Sequence, residues 1–322
     1  MKYCFIINPT AGKGKKAEGL ALEIERVCSE RDVDYEIYTT RAPRDSEDYI
    51  RRACAERLGE ITFFACGGDG TLCEVVTGIM SLDNRNGVSL GLIPIGTGND
   101  FARNFAPSDK YFDIAAQLDS SSYSVDIIKA ADRHAINMIN IGFDCEVVCK
   151  TGSIKKNPLV PSKLAYIFGL VITLIRKPGV IAEISVDGAE PTREKLLLTT
   201  FANGAYCGGG FHSNPLASLS DGKIDKLLVS NISRTKFISI VGDYKNGTHL
   251  GEKFKKIIRN GKCTELKLKF DKITNVCVDG EVISVNELVL SVLKGAMSFR
   301  IPKGASPISQ SLEAAACDGA TV

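Results

Sequence analysis

Two short segments carry residue types that do phosphate chemistry. Cys66-Gly67-Gly68-Asp69-Gly70-Thr71 comes directly off the apolar run Ile61–Ala65, and Leu72 to Met80 then reads as a helix. Glycines let backbone N–H groups approach a phosphate with no Cβ in the way, and a helix N-terminus behind the loop adds partial positive charge. Asp69 is the odd member, because a carboxylate beside phosphates makes sense chiefly with a cation or a reacting hydroxyl between them. The second segment repeats the arrangement. Leu90–Ile95 is a buried-strand run ending in Gly96-Thr97-Gly98-Asn99-Asp100-Phe101-Ala102-Arg103. Both strands thus deliver glycines, a hydroxyl and a carboxylate to one edge of a sheet, where open α/β folds bind ligands. A turn alone also uses Gly and Asp, and Asn-Asp also caps helices, but two such loops are richer than turns need.

The pairing of GGDGT with PIGTGNDFAR resembles the catalytic domain of the diacylglycerol kinase family of lipid kinases, which also contains bacterial lipid kinases, sphingosine kinases and ceramide kinase. Four further segments match in family order: Asn8-Pro9-Thr10-Ala11-Gly12, Asn140–Asp144, Ala202-Asn203-Gly204 with Gly208-Gly209-Gly210, and Asp279-Gly280-Glu281. Together they span about residues 1 to 302. The first glycine loop alone is less specific, since phosphofructokinases and NAD kinases carry a similar one.

The resemblance implies that ATP lies across Asn8, Pro9, Thr10, Ala11, Gly12, Thr40, Gly67, Gly68, Asp69, Gly70, Thr71 and Thr97. It also implies that Asp69 helps to position Mg²⁺ with its waters, supported by Asp100. Thr40 is equally explained by β-propensity at the end of a strand. Glu281 is the candidate general base, because the Asp279-Gly280 turn would hold its carboxylate on a rigid hairpin tip. The similar turn Val186-Asp187-Gly188-Ala189 has no acid beside it, so the turn itself does not require Glu281. Ser218–Asp225 resembles the family segment that holds a structural Mg²⁺, through the Asp221 side chain and the main-chain carbonyls of Ser218 and Lys223; such a hard cation takes carbonyl and water ligands. The family often has an acid or amide where Ser220 stands.

The elements that must position these groups follow from apolar periodicity. Strands near 3–8, 33–40, 61–66 and 90–95 alternate with helices near 15–30, 46–58 and 72–80, a rhythm that implies a mostly parallel, doubly wound sheet. From Ser124 the chain turns β-rich, with Asp-Gly hairpin signals at 187–188 and 279–280 and helical inserts expected at 162–176, 233–243 and 248–258. The fold expected is α/β in two domains: an N-terminal doubly wound nucleotide-binding domain (1–125) and a C-terminal β-rich, β-sandwich-like domain (126–288). By resemblance the strands near 289–302 return to the first domain. Residues 303–322 read as a flexible tail.

Several alternatives are excluded or weakened. Gly12-Lys13-Gly14-Lys15-Lys16-Ala17 matches a dinucleotide fingerprint with Asp34 and Glu36 about 20 residues on, yet the preceding Asn8-Pro9 is not explained by a dehydrogenase and no Gly-Lys-Ser/Thr makes it a Walker loop. Lys plus Arg total 40 against 38 Asp plus Glu, so bulk charge gives no argument for nucleic acid. Eleven cysteines without CxxC pairs and three dispersed histidines argue against zinc and for a reducing, cytoplasmic setting. No run of about 20 apolar residues crosses a bilayer. The twelve apolar residues Leu164–Ile175, flanked by Lys163 and Arg176-Lys177 with Lys155-Lys156 upstream, suit either a buried helix or one lying at a lipid surface. The expected function is an ATP- and Mg²⁺-dependent lipid kinase converting diacylglycerol to phosphatidic acid, peripherally associated with the inner face of the membrane, with a homodimer as a further expectation. The alternatives are an NAD kinase-like enzyme acting on a soluble substrate and a non-catalytic nucleotide- or lipid-binding regulator.

Overall fold

The computed structural model describes residues 1–13, 15–56, 59–147, 149 and 179–308. The insert expected at 162–176 and the lysines at 155, 156 and 163 lie outside them. The chain divides into two units, Met1–Asp126 with Gly295–Val322, and Ile127–Lys294.

In the first unit, β1 (Lys2–Ile7), β2 (Tyr35–Thr39), β3 (Ile61–Gly67) and β4 (Val88–Pro94) alternate with helices α1 (Lys15–Glu30), α2 (Asp45–Ala55) and α3 (Asp69–Met80). The four strands are parallel in the order β4-β3-β1-β2. Every residue of β3 is buried, as a central strand covered on both faces requires. Strand β5 (Phe105–Ala106) and helix α4 (Ile114–Leu118) follow. The fourth parallel strand gains a neighbour from far along the chain, where Phe299 pairs with Leu90. Phe299 is fully buried and its ring packs 5.3 Å from Phe101 and 5.2 Å from Phe105.

The second unit is antiparallel. Its strands are the end of β6 (Ser121–Ala130), then β7 (Arg133–Ala135), β8 (Met138–Gly142), β9 (Val180–Val186), β10 (Thr192–Ala202), β11 (Ile224–Ser230), β12 (Ile258–Cys263), β13 (Glu265–Val278) and β14 (Glu281–Ile301), the last ending in the first unit. Two long strands change partner along their length: β10 pairs β9 through Thr192–Leu196 and β8 through Leu198–Ala202, and β13 does likewise. This folds the sheet over a core that includes Ile139, Leu196, Phe201, Leu266 and Val276. Helix α5 (Arg234–Asn246) is capped by the Ser233 side chain and closed by left-handed Gly247.

Two expectations are corrected. Residues 248–258 are not a helix: only the single turn Glu252–Phe254 forms, and Ile258 opens β12 against Val229. Residues 303–308 are not a loose tail, since the Lys303 N–H donates to the Ala116 carbonyl at 2.9 Å and β15 (Ser306–Pro307) pairs antiparallel with β5.

Candidate active site

The strand order of the first unit reverses direction between β1 and β3, so the loops leaving their carboxyl ends flank the switch point at which open α/β sheets bind ligands. The Asn8–Gly12 loop leaves β1, and Gly68 leads β3 into α3, whose first residue is Asp69. Asn8 ties these loops together. Its Nδ2 donates to Thr71 Oγ1 at 3.1 Å, while its Oδ1 accepts from the Thr10 N–H and hydroxyl at 3.0 and 2.8 Å. Thr40 stands at the same edge, with its N–H donating to the Ile7 carbonyl at 2.9 Å. Gly12 has φ 58°, and a Cβ there would lie 2.6 Å from the Ile95 carbonyl oxygen, so glycine is required by both conformation and space.

The third loop, from β4, closes over the second. The Gly96 N–H donates to the Gly67 carbonyl at 3.1 Å. Left-handed Asn99 spans its own turn, donating from Nδ2 to the Pro94 and Gly96 carbonyls at 2.7 and 3.1 Å. The Asp100 N–H donates to Asp69 Oδ1 at 2.7 Å. A Cβ on Gly98 would meet Asp69 Oδ2 at 2.6 Å and Asp100 Oδ2 at 3.7 Å, so two carboxylates converge on a point kept open by glycine. Arg103 Nε lies 3.5 Å from Asp100 Oδ1. Paired carboxylates beside backbone amides form a donor set that fits Mg²⁺, which takes one or two carboxylates and completes its shell with phosphate oxygens and water. Thr97 is exposed on this loop.

In the second unit the β13–β14 hairpin turns at left-handed Asp279 and Gly280. The Asp279 carboxylate accepts the backbone N–H groups of Ile136, Asn137 and Met138, at 2.7 Å, 3.2 Å and 2.6 Å respectively. That triple clamp fixes the tip on which Glu281 sits, one-third exposed, with Arg133 Nη1 3.1 Å from its Oε2. Sequence reasoning missed Arg133, because its partner is 148 residues away.

A small apolar cavity in this unit is lined by Phe143, Val147, Phe211, Phe237 and Val241, with Asp144 and Tyr244 as polar members. The Tyr244 hydroxyl donates to Asp144 Oδ2 at 2.9 Å. Burial pushes the Asp144 carboxyl up to about 6, against the lowering effect of that hydrogen bond.

The segment expected to hold a structural Mg²⁺ is built differently. Asp221 Oδ1 accepts from the Lys223 N–H at 2.9 Å, and Oδ2 lies 2.5 Å from Lys262 Nζ, which is also 3.6 Å from Asp225 Oδ2. No cluster of three His, Cys, Asp or Glu residues suited to a metal exists among the described residues. The Lys262 ammonium thus pairs with the Asp221 carboxylate at the place expected for the cation. Burial pushes the Asp225 carboxyl up to about 7, with Lys262 opposing the rise.

The family pattern of the diacylglycerol kinase catalytic domain matches residues 2–130, and that of the YegS C-terminal NAD kinase beta sandwich-like domain matches residues 137–300. A diacylglycerol kinase of Bacillus subtilis is 29% identical over 281 residues, covering 86% of this chain and 88% of the relative. A Yersinia enterocolitica protein named "Probable lipid kinase YegS-like" is 29% identical over 270 residues, covering 80% and 84%. A crystal structure of a Bacillus anthracis diacylglycerol kinase shares the fold, with TM-score 0.69 and 20% identity over 94% of this chain and 97% of that one. Catalytic domain and sandwich together define a lipid kinase. The chain belongs to the diacylglycerol kinase family, in the two-domain form shared with the YegS-like proteins.

Proposed function

We propose that this kinase transfers the γ-phosphoryl group of ATP to the hydroxyl of diacylglycerol, giving phosphatidic acid, and requires Mg²⁺. The observation that carries the reading is the 2.7 Å bond from the Asp100 N–H to Asp69, which locks two glycine loops around a pair of carboxylates at the switch point of the sheet. ATP phosphates would rest on the backbone amides of Asn8–Gly12 and Gly67–Thr71, with Thr40 and Thr97 at the margins. Asp69 and Asp100 would hold Mg²⁺, which when bound screens charge on the phosphate oxygens. Phosphoryl transfer asks little covalent chemistry of a protein and depends on alignment and charge. Glu281 would accept the hydroxyl proton at its Oε1. A carboxylate is a weak base for an alcohol, so most of the rate enhancement falls to the loops.

The match to a diacylglycerol kinase catalytic domain, with relatives named lipid kinases, supports a lipid acceptor. No described helix is long and apolar enough to cross a membrane. The reading also includes peripheral attachment at the cytoplasmic face, on the ground that Lys155, Lys156 and Lys163 would be drawn to anionic lipid. The test is γ-labelled ATP with mixed micelles of diacylglycerol, phosphatidylglycerol, sphingosine and undecaprenol, beside NAD. Label should enter diacylglycerol and depend on Mg²⁺. Label in NAD alone, or in no acceptor, refutes the reading.

A further inference from the structure

One short segment of the second unit grips the Asp279–Glu281 hairpin twice. Backbone N–H groups of 136–138 hold Asp279, and the Arg133 guanidinium, three residues earlier, holds Glu281. Arg133 opens β7, paired to β6 through Ala130, and its side chain is about one-fifth exposed. The strongest Arg–carboxylate pairs are bidentate, with two parallel N–H bonds to one carboxylate. Here only Nη1 reaches Glu281, at 3.1 Å. Nε is buried with no hydrogen-bond partner, and Asp132 Oδ1, on a largely exposed side chain, stays 3.9 Å away. A buried N–H without a hydrogen bond weakens the fold, and partly exposed ion pairs such as those to Glu281 and Asp132 return little. Stability is therefore a poor account of Arg133.

We propose that Arg133 is a positioning residue for the phosphoryl-transfer reaction, setting the orientation of the Glu281 carboxylate. The inference rests on the reading of Glu281 as the base. With Oε2 held by Nη1, the plane of the carboxylate is fixed and Oε1 is the oxygen left to take the acceptor proton. Orientation of the accepting oxygen counts throughout the transfer.

The experiment is a double-mutant cycle on the full chain with Arg133→Gln, Arg133→Lys, Glu281→Gln and Arg133→Gln/Glu281→Gln. The acceptor is diacylglycerol in mixed micelles or, should another of the four micellar lipids take label faster, that lipid. Glu281→Gln should lower kcat by about 10², and Arg133→Gln by about tenfold. KM for ATP should stay within about twofold in both, and melting temperatures should stay close to wild type. Arg133→Lys should recover part of the loss, since an ammonium can still reach Oε2. In the Glu281→Gln background, Arg133→Gln should cost less than about threefold, because there is no carboxylate left to orient. Equal losses in both backgrounds, or full turnover in Arg133→Gln, would overturn the positioning role and leave Glu281 as base. Full turnover in Glu281→Gln would overturn the base reading, and the proposal with it.

Discussion

The convergence of Asp69 and Asp100 on Gly98 can be tested by filling the gap between them. In Gly98→Ala the new Cβ would sit 2.6 Å from Asp69 Oδ2, and ordinary contact begins near 3.4 Å. The carboxylate must therefore retreat by about 0.8 Å, which breaks or stretches its 2.7 Å bond to the Asp100 N–H. Losing a hydrogen bond to a charged group costs about 1.5–3 kcal/mol. Replacing glycine at a backbone position without positive φ returns about 0.4–1 kcal/mol through the unfolded chain. The net destabilisation is about 1–2 kcal/mol, a fall in Tm of a few degrees. The effect on catalysis should be larger, since misplacing a catalytic group by about 1 Å costs on the order of a hundredfold, or about 2.7 kcal/mol of transition-state stabilisation. Calorimetry and initial rates over a range of ATP and Mg²⁺ would separate the two. A folded Gly98→Ala enzyme with wild-type kcat would refute the argument that the position of Asp69 matters to phosphoryl transfer.

The same loop offers a contrast at Gly70, where a Cβ meets nothing within 4 Å. Gly70→Ala, inside α3, should stabilise the fold by about 0.5–1 kcal/mol while raising KM for ATP several-fold; unchanged KM would remove Gly70 from the nucleotide site. Because Lys262 holds Asp221, EDTA should leave the Tm of the apo-enzyme unchanged, and Lys262→Met should lower it; a loss of several degrees with EDTA alone would restore a structural metal. For Asp225, the folded carboxyl lies above its ordinary value, at about 7, so its contribution to stability is full below about pH 4 and is lost as pH rises through 7. Asp225→Asn should flatten the fall in Tm between pH 5 and 8, and an unchanged slope in chemical denaturation would show that this carboxyl is not protonated in the fold.

What the sequence made legible was local. Gly67–Thr71 and Gly96–Asp100 announce themselves because backbone approach and turn chemistry depend on residues a few positions apart, and the left-handed residues at 187–188 and 279–280 follow from Asp-Gly turns. The α/β-then-β organisation followed from period alone. What stayed hidden was long-range pairing. Phe254, Ile257 and Ile258 have helical spacing, but β11 needed a partner and drew Ile258–Cys263 into the sheet. Ser306–Pro307 carries no strand signature and is ordered by Phe105–Ala106, two hundred residues earlier in the chain. Arg133 and Lys262 read as ordinary surface cations until the fold sets each beside a carboxylate.

The strand that ends at Ile301 has a consequence for how the protein is made. The first unit owes one edge of its sheet to Phe299, and Arg300 adds bonds to the Ser120 hydroxyl and carbonyl at 3.0 and 2.7 Å. These residues leave the ribosome after the whole of Ile127–Lys294, which is contiguous and can fold as a unit in the order of synthesis. The second unit is thus in effect an insertion within the first, and it is complete before the first can be. Phe101 and Phe105 wait for the Phe299 ring throughout that interval with an unfilled apolar face. A fragment ending at residue 126 would hold all of the glycine loops and still lack the strand that seals the core beneath them.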